Sequence, residues 1–426
     1  MTSLADTLLS AIDDRREDLI AFLQGFVRTP TANPPGETRA GAAYLEAFLK
    51  SRSLAYKVIA PMPDMPNLLA VFDTGRPGRH LVLNGHIDVF PPGRDERWRH
   101  GGPWSGTIDN GRLYGRGTAD MKCGTIASFA TYALLHEHRD QLAGRLTLTA
   151  VSDEETGGEW GTGYLFEHHR EEVAGDCCLN GEPSSAHTVR YGEKTPHWLV
   201  FTVKTRGAHG AYVHMSASAN KIATRLMAAL ESVTGICPEM PLAVARNLAD
   251  PAVRKALDDG LGKGAADLVS KVSLNIGMVD GGLKTNMIPS ACKLEADIRL
   301  PVGVSKDRIR VEVARILQDF PEVTVEEVSR ARDEANWCDP DGPMLRIIQD
   351  TADRVTGLRP VPVITLAATD ARFWRLSGVP AYIYGCSPDL MGTYDESVGV
   401  EEFLNVVRVH ALAAAAYLAP EGKQRT

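Results

Sequence analysis

The run Leu-Thr-Leu-Thr-Ala-Val-Ser-Asp-Glu-Glu-Thr-Gly-Gly, residues 146–158, carries the pattern that decides the fold. Residues 146–152 read as an apolar strand. Asp153, Glu154 and Glu155 follow it without a spacer. Three adjacent carboxylates repel one another unless a cation is near. In open α/β sheets ligands gather at the carboxyl ends of strands. The run therefore predicts a buried strand that ends in a ligand site. A solvated acidic loop is the plainer alternative.

The surroundings extend this reading. Residues 67–72, 80–85 and 177–181 are further strand-like runs, and 41–51 and 125–137 are helical. Strand and helix in alternation predict an α/β domain with a mostly parallel sheet. The middle of the chain differs. Residues 197–205 read as a strand, 218–234 as a helix, and 290–300 alternate strictly. There Cys292, Leu294, Ala296, Ile298 and Leu300 face one way, and Lys293, Glu295, Asp297 and Arg299 the other. One wet and one dry face means a sheet covered on one side. The expected organisation is one α/β domain over 1–192 and 306–426, with a smaller α+β domain over 193–305 inserted into it. After residue 306 the alternation resumes, with helices at 306–319, 344–355 and 401–418 and strands at 323–327 and 380–384.

Bulk properties narrow the function. The net charge of -8 argues against a nucleic-acid binder, which would carry a basic stripe. No run of about 18 apolar residues is present, so no membrane span is expected. The first twenty residues form an amphipathic, acidic helix and not a signal peptide. Seven scattered cysteines without a C-x-x-C pair suit a reducing compartment, so a cytoplasmic protein is expected.

Three more segments offer the same kind of donor as Glu154 and Glu155. His86 follows a strand in Leu83-Asn84-Gly85-His86-Ile87-Asp88, and Asp88 is placed to fix the imidazole tautomer, as a metal-binding histidine requires. Asp120, in Gly115-Arg116-Gly117-Thr118-Ala119-Asp120, stands before a helix. Glu182, in Asn180-Gly181-Glu182-Pro183, follows a strand. Each alone has an ordinary reading: a loop histidine, an N-cap aspartate, a turn before proline. As a set they suit zinc, manganese or cobalt.

In this order, with Asn33-Pro34-Pro35-Gly36 near the start and Asp395-Glu396 near the end, the motifs resemble the M20 family of metallohydrolases. The resemblance implies a catalytic domain with an inserted lid and dimerisation domain, a homodimer, and hydrolysis of an amide or N-acyl bond in a small carboxylate-bearing substrate. It implies that His86, Asp120 and Glu182 hold a first metal, and that Asp120 bridges to a second one that takes Glu155. Asp88 would orient His86, and Glu154 would be the general base that deprotonates the attacking water. Gly207-Ala208-His209 resembles the segment whose histidine enters the partner subunit's site and stabilises developing negative charge. Asn286, Arg299 and Arg372 look like substrate-binding positions, Arg372 within Thr369-Asp370-Ala371-Arg372-Phe373. Ordinary alternatives are a surface loop for His209, solvation for Arg299 and a helix cap for Asp370.

The chain departs from the family at one ligand. The histidine expected four residues before Glu396 is Gly392, and no histidine lies between His214 and His410. The first metal keeps three protein ligands, the number typical of catalytic zinc sites. The second keeps Asp120 and Glu155 alone. One divalent ion per chain is therefore expected, with Met391, Asp395 and Cys386 as nearby substitute donors. Two other functions compete. One is hydrolytic deamination of an electron-poor aromatic amine such as 5-nitroanthranilate. The other is a non-catalytic binding protein with a decayed site, against which the retained Glu154 and His209 speak.

Overall fold

A computed structural model describes residues 3–328 and 334–420. The apolar run before the three carboxylates becomes the strand Arg145–Val151 of a nine-stranded sheet. It lies parallel to His80–His86, which lies parallel to Cys177–Asn180, which lies parallel to Ala381–Ile383. These central strands are covered on both faces, which explains their nearly unbroken apolar sequences. The edges are antiparallel: Asn67–Asp73 and Lys57–Ile59 on one side, Asn336–Trp337 on the other.

Helices cover both faces. Cys123–Glu137 and Val400–Tyr417 pack with Leu4–Asp14, Arg16–Val27 and Pro343–Thr356 into the main core. Thr162–His168 and Ala371–Leu376 close the opposite face. The fold is α/β with a sheet parallel at its centre, as expected.

A second core gathers around a four-stranded antiparallel sheet, ordered Ser273–Gly281, Ala291–Leu300, Thr195–Lys204, Val323–Glu327. Along Ala291–Leu300 the alternate residues Cys292 to Leu300 are buried, as their spacing predicts. Helices Ala219–Leu230 and Lys306–Leu317 cover that face.

The expected boundary at 305/306 does not separate these cores. Ile309, Val313 and Ile316 of the helix after residue 305 belong to the small core, and Val323–Glu327 pairs with Thr195–Lys204. The helix and strand look like a resumption of the large domain because both domains alternate helix with strand there. The reverse holds within the insertion. Val244, Leu248, Val253 and Leu257, spaced by four on two short helices, pack into the large core. Lys194 ties the junction: its buried ammonium donates to the carbonyls of Leu268 (3.2 Å) and Lys271 (2.7 Å) and to Ser273 Oγ (3.1 Å).

Two glycines set how closely the Cys123–Glu137 helix and the end of the Cys177–Asn180 strand approach. A Cβ on Gly124, at the start of Cys123–Glu137, would lie 1.9 Å from the carbonyl oxygen of Gly181. Gly181 immediately precedes Glu182. Gly124→Ala should therefore force the helix start and the Glu182 strand end apart. Overpacking of this kind costs about 1–3 kcal/mol. Calorimetry should show a lower melting temperature than wild type, whereas Gly235→Ala, where no atom lies within 4 Å, should leave it unchanged.

Candidate metal centre

Three neighbouring parallel strands deliver the site at their carboxyl ends. His86 ends His80–His86. Glu154 and Glu155 form a single 3-10 turn after Arg145–Val151. Glu182 lies two residues past Cys177–Asn180. Asp120 comes from the turn that leads into Cys123–Glu137.

The imidazole of His86 is the hub. Its Nδ1 lies 2.7 Å from the carbonyl oxygen of Asp88. A proton on Nδ1 satisfies that bond and directs the Nε2 lone pair inward. Nε2 lies 3.1 Å from Asp120 Oδ1 and 3.3 Å from Glu182 Oε1. Ligand atoms of His86, Asp120 and Glu155 fall within 4.8 Å of one another, as do those of His86, Glu154 and Glu182.

This pocket is short of positive charge. Burial, and then repulsion from Asp120, push Glu182 up to about 7. Burial and Glu182 hold Glu154 well above the usual carboxylate range, and burial and Asp120 do the same to Glu155. Burial alone would lower the pKa of His86, but the Asp120 and Glu182 carboxylates outweigh it and hold that pKa well above its ordinary value. Glu155 Oε1 is enclosed and has no hydrogen-bond partner. Buried carboxylates with an orphaned oxygen beside an imidazole fit a divalent metal.

Asp88 meets the His86 ring through its main chain. Its carboxylate stays 3.6 Å from His86 Nδ1, and the ring is oriented by its backbone carbonyl instead. The carboxylate accepts the Glu154 amide at Oδ1 (3.2 Å) and the Glu155 amide at Oδ2 (3.1 Å). Asn33 Nδ2 adds a third bond to Oδ2 at 2.9 Å.

Two supporting groups escape sequence reasoning. Asn33 is one, although its Asn-Pro-Pro-Gly segment stands out. Glu396 is the other. Its Oε1 accepts the amides of Ala119 (3.0 Å) and Asp120 (3.1 Å), and its Oε2 pairs with Arg116 at 2.5 Å. A buried glutamate clamping a turn leaves no spacing signal of its own.

The expected substrate positions divide. Arg372 is buried. It donates to the carbonyls of Thr369 (2.6 Å) and Gly157 (2.8 Å) and stands 3.7 Å from Glu154 Oε1. Asp370 opens its helix without capping it, and its carboxylate accepts Thr162 Oγ1 at 2.7 Å. Arg299 is paired with Asp297 of its own strand at 2.9 Å. His209 and Asn286 are exposed together on the ribbon formed by Ala208–His209 and Met287–Ile288. Among the described residues, neither bonds to the carboxylate cluster.

At Gly392 a built Cβ has the Phe90 ring as its nearest neighbour, 3.7 Å away. The candidate substitutes are engaged elsewhere. Asp395 accepts the Arg99 amide (2.7 Å) and Nε (2.6 Å), and Cys386 Sγ faces the Ala119 carbonyl at 3.5 Å. Among the described residues, no potential metal group includes Asp395 or Cys386. The seven cysteines are all unpaired, and no described helix is long and apolar enough to cross a membrane.

Known proteins share this architecture. A succinyl-diaminopimelate desuccinylase of Methylorubrum extorquens is 29% identical over 413 residues, spanning 93% of this chain and 98% of the relative. The M20 family metallo-carboxypeptidase Sso-CP2 from Sulfolobus solfataricus superposes with a TM-score of 0.77 at 16% identity, covering 94% of this chain and 99% of that one. The Bacillus subtilis YXEP protein, a dinuclear metal binding peptidase from M20 family, gives 0.64 at 13% identity, covering 95% and 99%. The family profile for peptidase family M20/M25/M40 matches residues 82–416. The chain belongs to that family and is a metal-dependent hydrolase of carbon–nitrogen bonds.

Proposed function

We propose that the chain hydrolyses the amide bond of a small N-acyl amino acid or peptide, with Glu154 as general base and one tightly held divalent metal. The observation that carries this reading is that His86 Nε2 lies 3.1 Å from Asp120 Oδ1 and 3.3 Å from Glu182 Oε1, with a Glu154 oxygen in the same cluster as His86 and Glu182. When bound, zinc, manganese or cobalt would supply Lewis acidity toward the substrate carbonyl and make water easier to deprotonate. His86, Asp120 and Glu182 would hold it. Asp88 fixes the turn that aims Glu154, and Arg372 at 3.7 Å offsets the charge of Glu154 from behind. Glu154 accepts the proton of the attacking water and returns it to the leaving nitrogen.

His209 and Asn286 are proposed to serve a neighbouring subunit. Both are exposed at a ribbon that exposes Met287 and whose flanking segments expose Tyr212, Val213, Met215 and Leu283. An apolar patch beside polar groups suits a second copy of the chain.

Three outcomes follow. Elemental analysis of purified protein should find close to one tightly held divalent metal per chain, since Gly392 supplies no side-chain donor; two tightly held ions would count against the proposed ligand set. Glu154→Gln should retain the metal and lose about 100- to 10,000-fold in kcat. The readout is released amine or ammonia from a panel of N-acyl amino acids, dipeptides and aminobenzoates. Turnover of aminobenzoates alone would favour aromatic deamination. Finally, Glu154→Gln and His209→Ala chains, each inactive alone, should regain part of the activity after subunit exchange, because one site of the mixed dimer is whole. Continued inactivity after confirmed exchange would show that His209 does not serve the partner's site.

A further inference from the structure

Four arginines are buried among the described residues: Arg116, Arg190, Arg372 and Arg375. Three are accounted for. Arg116 meets Glu396 and the Gly392 carbonyl. Arg372 meets the Thr369 and Gly157 carbonyls. Arg375 meets Glu193, Asn336 and the Ala381 carbonyl. Arg190 is 4% exposed, and its guanidinium donates to no described residue. A guanidinium has five N–H donors, and leaving a buried charged group without partners is costly. None of its nitrogens is among the fully enclosed, unpartnered atoms, so they keep contact with accessible space.

The sheet register places this cation. Val189 and Tyr191, on either side of it, point into the main core, so Arg190 points to the opposite face. It pairs across the sheet with Ile383, and Ile383 pairs with Asn180, two residues before Glu182. Burial disfavours its charge, and Glu182 and Asp120 are the groups that most strongly sustain it. Arg190 thus stands on the Glu182 side of the metal-binding carboxylates with its donors unused. The expected substrate arginines are engaged elsewhere, Arg299 on Asp297 and Arg372 on backbone carbonyls.

We infer that Arg190 anchors a carboxylate of the substrate beside the metal-binding residues, receiving it in the bidentate geometry that a planar guanidinium offers. The inference rests on the reading that the substrate is a small carboxylic acid cleaved at an amide. It makes Arg190 a specificity residue. The competing role is that of a fixed counter-ion for Glu182 and Asp120.

Dicarboxylates separate the two. Acetate has one carboxylate, whereas malonate, succinate and glutarate can place a second one at Arg190 over a range of lengths. Dissociation constants of these four acids would be measured by titration calorimetry on zinc-loaded wild type, Arg190→Lys and Arg190→Met, with zinc content by elemental analysis. At least one dicarboxylate should bind wild type more tightly than acetate. Arg190→Met should lose that preference by about 10- to 100-fold, and Arg190→Lys should keep part of it. Acetate affinity and zinc content should hold in both variants. A dicarboxylate preference that survives in Arg190→Met overturns the inference. So does a parallel fall in acetate affinity and zinc content, which is the mark of a counter-ion. A wild type without any such preference also overturns it. If that wild type still hydrolyses N-acyl amino acids, the amidase reading stands and the anchor alone fails. If it hydrolyses none, both fail.

Discussion

Both oxygens of one fully buried carboxylate, Asp88, accept backbone amides from the next strand over, those of Glu154 and Glu155. The rest of the site depends on this clamp. It joins the end of the His86 strand to the turn that carries Glu154 and Glu155. Because the bonds run to main-chain N–H groups, they fix where the turn lies before any side-chain rotamer is chosen. Charge-assisted bonds of this kind are among the stronger ones available in a low-dielectric interior. Glu396 repeats the device on the other side by holding the Ala119 and Asp120 amides. Two carboxylates that bond main-chain amides therefore position the turns that carry Glu154, Glu155 and Asp120.

The arrangement has an electrostatic consequence. Arg116 is drawn to Glu396, Arg375 to Glu193, and Arg372 sits behind Glu154. These cations offset the carboxylates that they meet. Around His86, where Asp120 and Glu155 form one cluster with the imidazole and Glu154 and Glu182 another, carboxylates crowd together and Glu155 keeps an unpartnered oxygen. The donor set around the imidazole fits a cation, and Glu154 lies within the same cluster.

Much of this is legible in the sequence, for physical reasons. Strands buried on both faces must be apolar throughout, so Arg145–Val151 and His80–His86 are easily recognised, and the polar residues that end them stand out by contrast. The strict alternation of Ala291–Leu300 reveals a one-sided sheet. What escapes are relations between distant segments. Nothing local distinguishes a carboxylate that bonds a metal from one that bonds an amide, so Asp88 reads as a direct partner of the imidazole and Glu396 has no visible task. Nor can periodicity say which core a helix joins. Lys306–Leu317 has an ordinary amphipathic stripe, and only the packing of Ile309 and Val313 assigns it to the small domain. Arg372 looks like an open substrate contact because sequence does not show burial.

The pairing of Val323–Glu327 with Thr195–Lys204 bears on how the chain reaches its fold. Where the chain leaves the small sheet, the Val328 amide bonds the Trp198 carbonyl at 3.0 Å, close to where it entered. The large sheet needs strands from both sides of this excursion: Cys177–Asn180 before it and Ala381–Ile383 after it. In an unfolded chain, joining them means closing a loop of roughly two hundred residues, and the entropic cost of closure grows with loop length. Once the small sheet forms, its entry and exit are held one strand spacing apart, and the effective loop shrinks to residues 181–194 and 328–380. The inserted domain thus acts as an internal staple. Its own assembly shortens the search by which the two halves of the hydrolase sheet find each other.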